Sequence, residues 1–294
     1  MQAAGIRRLG DRVEMIAVGE LRPLAGDEVL VEVRAAGVGN WDEFVRTGGW
    51  EVGARPPMAL GVEAAGTVLA AGQAVSDWVP GDAVMTHPVP LRDQGTWAPR
   101  LIAPAGLLAR KPPGASWEAA AAFPVPALTA EQVLCDTLHV RVSEQLLVHG
   151  AGGVTGGLLV FLAVLHGAQV IAAAGPSSQQ RVTALGARHV IDYHDRDWPV
   201  QVRALTANRG VDVAANAVPG GAASAIEAVA DGGGWRPSPP TRPARGAASR
   251  SPASTSARTE TSCVTSRRAS PTASCRFRSP PATVSPMPPR HSPR

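Results

Sequence analysis

Three glycines, Gly150, Gly153 and Gly156, recur at three-residue intervals between two apolar runs. Residues 146–148 before them read as a buried strand, and residues 154–165 after them as an apolar helix. A second apolar run, residues 169–174, stops at Gly175. This order of strand, glycine turn, helix and strand suits a dinucleotide pyrophosphate. Glycines let the backbone approach the phosphates, and the helix start, here Val154, offers unpaired N–H groups and a partial positive charge. The spacing is G-x-x-G-x-x-G rather than strict G-x-G-x-x-G, although Gly152 adds a G-x-G pair. The flanking apolar runs, more than the glycines, make the pattern specific.

The end of the second strand bears on which dinucleotide. Sites for NAD place Asp or Glu there to bind the ribose 2′-hydroxyl. Residues 172–181 contain no acid and carry Ser177, Ser178 and Arg181 instead. Small hydroxyls and a guanidinium suit a 2′-phosphate, so NADPH is favoured over NADH. The competing reading makes Arg181 a solvated helix residue.

The elements around this motif alternate. Strands are expected at residues 145–149, 169–174, 189–192 and 211–216, and helices near 154–166, 177–186, 197–207 and 221–230. Such βαβαβ order implies a doubly wound parallel sheet with its crevice at the C-terminal strand ends, where Gly150, Gly175, Tyr193 and Ala217 would gather. Residues 1 to about 120 read differently. Runs 27–39, 59–72 and 79–85 are β-branched and closed by Gly or Pro, and 98–112 holds two more short strands. Ser116 precedes a short helix as its cap, and a further helix is expected after Pro124 and Pro126.

Charge divides the chain. Residues 232–294 carry 11 Arg and one acid, Glu260, whereas the rest has 17 basic and 23 acidic residues. The body is acidic and only the tail is basic, so nucleic-acid binding would rest on the tail. That tail has no aromatic interleaving. It is Arg-, Pro-, Ser- and Thr-rich with few aliphatics, too few to offset ordering entropy, and is expected to be disordered. Its composition also fits GC-rich DNA read in a shifted frame. A two-base shift over residues 233–243 permits RVATITSDPP, a strand and loop pattern. On that reading the chain loses later strands, and reduced stability and weak activity are expected. Cys135, Cys263 and Cys275 have neither metal-like spacing nor a disulfide framework. No signal-peptide pattern or membrane-length apolar run is seen, so a cytoplasmic setting is expected.

Residues 36–48, 60–68, 79–84, 124–130, 147–156 and 185–193 together resemble the medium-chain dehydrogenase/reductase superfamily, in its zinc-independent quinone oxidoreductase-like branch. The resemblance spans about residues 1–233. It implies a GroES-like β-rich domain over 1–122, an incomplete Rossmann domain over 123–233, and an unrelated tail over 234–294. In zinc alcohol dehydrogenases, ligand Cys and His stand at the positions held here by Gly39 and Val62. Neither can ligate a metal, so no catalytic zinc is expected. The resemblance places Asn40, Trp41 and Asp42 in the substrate pocket, Thr129 near the nicotinamide and Tyr193 beside the adenosine phosphate. The cofactor set is then Thr129, Gly150, Gly153, Val154, Gly156, Gly175, Ser177, Arg181, Tyr193 and Asn216. Asp42 could instead simply cap a helix, and His149 reads as structural. The implied activity is hydride transfer from NADPH to a quinone or α,β-unsaturated carbonyl. The alternatives are a remnant that binds nucleotide without turnover, or a nucleic-acid binder. The family's homodimer is in doubt here, because its sheet edge would fall in the altered tail. A short-chain reductase is excluded by inventory, since Tyr193 is the only tyrosine and Lys111 the only lysine.

Overall fold

The computed structural model describes residues 1–231 and the strand Cys263–Thr265. The frame-shifted reading of residues 233–243, and nearly all of the expected disordered tail, lie outside the described residues.

The β-rich part holds β1 (Gln2–Ile6), β2 (Glu14–Ala17), β3 (Glu28–Ala36), α1 (Asn40–Thr47), β4 (Met58–Ala59), β5 (Ala64–Ala71), β6 (Ala83–Thr86), β7 (Arg100–Pro104) and β8 (Leu108–Arg110). The helices α2 (Trp117–Ala121) and α3 (Pro124–Gln132) follow, and a π-helical turn, Val133–Thr137, continues α3. Next come β9 (Gln145–His149), α4 (Val154–Leu165), β10 (Gln169–Ala173), α5 (Gln179–Ala184), β11 (His189–Ile191), α6 (Trp198–Leu205), β12 (Val213–Asn216), α7 (Ala222–Glu227) and β13 (Cys263–Thr265).

An antiparallel sheet ordered β7-β3-β5-β6-β8 forms the N-terminal body, beside a small sheet β2-β1-β4. Its core includes Val29, Val31, Val68, Val84 and Leu101, supplied by the β-branched runs read from the sequence. The β3–β5 register shifts at Leu30/Val31 and again at Val33/Ala35, the kind of bulge that bends a strand pair. A GroES-like β-rich unit is therefore present, as expected.

The second sheet has the order β11-β10-β9-β12-β13. Strands β9, β10, β11 and β12 run parallel, with Gln145–His149 in register against Gln169–Ala173. Strand order reverses between β9, whose chain continues to β10 on one side, and β12 on the other. That reversal creates the crevice where such sheets bind ligands. Two layers close the core: Leu146, Val148, Leu159, Val160 and Leu134 on one face, and Leu147, Ile171, Trp198 and Val202 on the other.

Two expectations need correction. The helix expected after the prolines begins at Pro124 itself. Proline lacks only an N–H that the first helical turn leaves unbonded anyway, and its φ is already helical. The stretch 177–186 divides into a 3₁₀ turn, Pro176–Ser178, and the short α5. Within the segment expected to be disordered, Cys263–Thr265 pairs antiparallel with Val213–Ala215. The β12 edge exposes unpaired backbone groups, and Cys-Val-Thr is a short run of strand formers able to meet them.

Candidate functional site

The glycine loop forms a tight cradle. Gly150 has φ +85°, a left-handed conformation that costs a side-chain-bearing residue about 1–2 kcal/mol. The N–H groups of Gly150 and Ala151 both donate to Ala173 O at 3.1 Å, fastening the loop to the end of β10. Gly153 N–H donates to Gly150 O at 3.0 Å, and Gly153 then caps α4 with no side chain. Gly153 and Val154 are exposed, so the helix start with its backbone donors faces outward. A Cβ on Gly156 would lie 2.1 Å from Gly150 O, so only glycine lets this helix sit so close to the loop. These features fit a pyrophosphate on the N-terminus of a twelve-residue helix.

Arg181, on α5, donates from Nη2 to Gly152 O. A Cβ on Gly152 would meet Ser178 Oγ at 2.9 Å. The acid-free end of the second strand thus lies beside the loop, with Ser178 and Arg181 against Gly152. Ser177 and Arg181 are exposed and Gly175 is buried. Tyr193 and His194 stack at 4.2 Å and close over Gly175, whose added Cβ would meet His194 Cε1 at 3.1 Å.

His149 ends β9 at the crevice. It packs on Trp198 at 4.8 Å and lies edge-on to Tyr193 at 6.4 Å. Burial pushes its pKa below 6.5, opposed by polar contacts with Gly221 and Asn216. Sequence reasoning read His149 as structural and did not place it beside Tyr193; its position at the last residue of the central strand was the available signal. Asn216 is buried with both amide atoms on one residue: Nδ2 donates to Val218 O at 2.8 Å, and Oδ1 accepts from Val218 N–H at 3.1 Å. Asn216 therefore shapes the turn after β12.

A second group of residues surrounds the start of α3. Gly39 is the N-cap of α1, and Asp42, three residues on, accepts from Gly39 N–H at 2.8 Å through Oδ2. Asp42 does help cap a helix, but from the third helical position rather than as the cap itself. Its Oδ1 and Trp41 Nε1 are buried without partners among the described residues, while Asn40 is exposed. Glu63 is fully buried, and its Oε2 accepts from Val125 N–H at 2.7 Å. Val125 O in turn accepts from Thr129 Oγ1 at 2.8 Å. Trp41 and Val125 share one apolar cluster with Val45, Leu60 and Val62. One helical turn thus brings Thr129 together with Glu63, and Trp41 and Asp42 stand on the same cluster. Helix α3 also packs on α4 through Ala130, Val133 and Leu134 against Leu159 and Val160. Thr129 and the glycine loop therefore belong to adjoining helices.

Burial pushes the Glu63 carboxyl up to about 7, with Val125 N–H opposing and the Asp42 charge adding to the rise. Burial raises Asp42 to about 6, against the Gly39 N–H. Two acids in one dry environment thus titrate close to neutral pH, Glu63 higher than Asp42. In the sequence Glu63 stands out only as the acid that remains, beside Val62, where the zinc alcohol dehydrogenases carry G-H-E. Its partner Val125 is 62 residues away. A cleft of about 460 Å³ lined by Met1, Glu20, Arg22, Leu30 and Arg100 contains none of these site residues.

A β-rich body joined to a parallel sheet with a glycine cradle at its strand-order reversal defines a nucleotide-binding α/β protein of the dehydrogenase type. Residues 25–113 match the family model of the alcohol dehydrogenase GroES-like domain, and residues 154–234 that of the zinc-binding dehydrogenases. The chain is 37% identical over 202 residues to erythronolide synthase EryA2 of Saccharopolyspora erythraea, covering 68% of this chain and 5% of that protein. It is 30% identical over 204 residues to the synaptic vesicle membrane protein VAT-1 homolog of Danio rerio, covering 69% and 41%. Among solved structures, an NAD-dependent alcohol dehydrogenase is similar at TM-score 0.70 and 32% identity, over 79% of this chain and 75% of that one. The CurK enoyl reductase gives 0.68 and 26% over 79% and 71%, and the Escherichia coli quinone oxidoreductase complexed with NADPH gives 0.67 and 26% over 78% and 70%. The chain belongs to the medium-chain dehydrogenase/reductase superfamily of oxidoreductases. It spans less than half the length of the two curated relatives named above. Among the described residues no helix is long and apolar enough to cross a membrane.

Proposed function

We propose that this chain binds NADPH and reduces a quinone or an α,β-unsaturated carbonyl without catalytic zinc. The observation that carries the cofactor choice is Arg181 seated on the Gly152 carbonyl, beside a strand end with no carboxylate. A carboxylate there would favour a free ribose hydroxyl, whereas a guanidinium favours a 2′-phosphate. Similarity to an NADPH-bound quinone oxidoreductase and to an enoyl reductase supports the same reading of the substrate.

In this reading Gly150, Gly153, Val154 and Gly156 hold the pyrophosphate. Ser177 and Arg181 face the adenosine end, with Gly175 and Tyr193 as its wall, and Asn216 shapes the opposite side of the crevice. Thr129 lies towards the nicotinamide, and Asn40, Trp41 and Asp42 towards the substrate. The bound cofactor would supply a hydride to an electron-poor carbon, and the chain's part is to orient and to exclude water. Asp42 and Glu63 keep a proton within the dry cluster near neutral pH, a local reservoir for the oxyanion that hydride addition leaves. Gly39 and Val62 offer no donor side chain, which supports a route in which the substrate carbonyl is polarised without a metal at those positions.

The test is binding and turnover by the purified chain with NADPH and NADH against a small quinone and an enone panel. NADPH-preferring reduction of either acceptor is the expected result. Tight NADPH binding with no turnover would instead identify a nucleotide-binding remnant, and equal use of NADH would remove the role of Arg181.

A further inference from the structure

We infer that Glu131, Cys135 and His166 form a binding site for a zinc-class divalent cation, remote from the nucleotide crevice. Glu131 lies on α3, and Cys135 follows four residues later in the π-helical turn. His166 caps the C-terminal end of α4. Cys135 Sγ stands 3.3 Å from Glu131 Oε1 and 3.8 Å from His166 Nδ1, while His166 Nε2 is 3.6 Å from Glu131 Oε2. One ligand atom from each residue lies within 4.8 Å of the others. In a tetrahedral zinc site, bonds of about 2.0–2.3 Å put neighbouring donors roughly 3.3–3.7 Å apart. Only one imidazole nitrogen can bind a given ion, so rotation of the His166 ring and of the carboxylate must bring one donor of each residue, already within 4.8 Å of the others, to those spacings.

The chemistry of the donors selects the ion. A thiolate, an imidazole and one carboxylate suit zinc or cobalt, whereas magnesium and calcium require oxygen shells. Three protein ligands leave a fourth position for water. A second observation points the same way. Glu131 Oε2 is buried and accepts no hydrogen bond among the described residues, and a buried carboxylate oxygen without a donor is costly unless a cation answers it. The glycine loop starts α4, and twelve residues at about 1.5 Å each place this cluster roughly 18 Å away at its other end. Bound metal would therefore staple the π-helical turn of α3 to the end of α4 and take no part in hydride transfer. Sequence spacing concealed the cluster, because Cys135 has no second cysteine nearby and His166 is 31 residues distant.

The experiment is a cobalt titration of the chelator-treated full chain, followed by absorption spectroscopy and thermal melting. One equivalent of cobalt should produce a thiolate-to-metal charge-transfer band, raise the melting temperature and be displaced by zinc. The C263S/C275S double variant should retain the band, and Cys135→Ser should lose it. His166→Ala and the isosteric Glu131→Gln should each weaken binding by roughly tenfold or more. Absence of the band at one equivalent overturns the site, as does a band that survives Cys135→Ser. Should Cys135→Ser fail to fold, unchanged cobalt affinity in both Glu131→Gln and His166→Ala overturns it equally.

Discussion

Glu63 Oε2 accepts a 2.7 Å hydrogen bond from the N–H of Val125, so a buried acid at the threshold of β5 caps the first turn of α3. This contact ties the β-rich body to the helix that carries Thr129. It also sets a pH dependence. The folded-state pKa of Glu63 is raised to about 7 from 4.5. The unfolded chain therefore releases its proton first, and the stability present below pH 4.5 is lost as pH rises towards and through about 7. The loss approaches about 3 kcal/mol. Denaturant melts from pH 4 to 9 should show this decline, and Glu63→Gln should shrink it to the part that Asp42 contributes. Asp42→Asn should make the decline smaller and end it at a lower pH, because Asp42 contributes both its own raised pKa and part of the Glu63 shift.

Acid should weaken the fold at a different place. The Arg22 guanidinium holds the buried Glu28 down at about 2 through bonds of 2.7 and 2.8 Å. Here the folded pKa lies below the ordinary value, so the stabilisation is present above pH 4.5 and lost as pH falls through about 2. Arg22 is 39% exposed, and solvent screening limits the gain to about 1–2 kcal/mol. Glu28→Gln should remove that acid limb while leaving the neutral-to-alkaline decline from Glu63 in place.

Gly156→Ala sets two effects against each other. Helix propensity alone would stabilise the variant by about 1 kcal/mol. The new methyl, however, would lie 2.1 Å from Gly150 O, well inside van der Waals contact. Repulsion wins, because the Gly150 carbonyl lies in backbone held by the Gly150 and Ala151 hydrogen bonds to Ala173 O and cannot move aside for a methyl fixed to the helix. The expected outcome is a destabilisation of about 1–3 kcal/mol and loss of nucleotide binding, read by thermal melting and cofactor fluorescence. A more stable variant with intact binding would show that the loop is not the cradle.

Arg181→Ala should separate the two cofactors. Loss of a charge-assisted pair to a 2′-phosphate costs about 1.5–3 kcal/mol, or roughly 10- to 100-fold in NADPH affinity. NADH has no such group and should change little beyond the effect of releasing Gly152 O. The ratio of the two dissociation constants is the measurement, and an unchanged ratio would assign Arg181 to loop support alone.

Much of the dinucleotide sheet was determined by the sequence itself. Residues 145–149, 154–165 and 169–173 announce themselves because apolar period and glycine punctuation are local properties of the chain. The same holds for Ser116, whose hydroxyl accepts from Ala119 N–H as a cap should. Tertiary structure alone decided which distant residues meet. It joined Glu63 to Val125, seated Arg181 on Gly152, packed His149 between Trp198 and Tyr193, and gathered Glu131, Cys135 and His166. It also drew Cys263–Thr265 to the β12 edge, where composition alone had suggested no order. The physical reason is one of range. Backbone geometry and amphipathic period are fixed by neighbours a few residues apart. Raised pKa values and ligand clusters depend instead on burial and on contacts between elements, which exist only once the sheets and helices have packed.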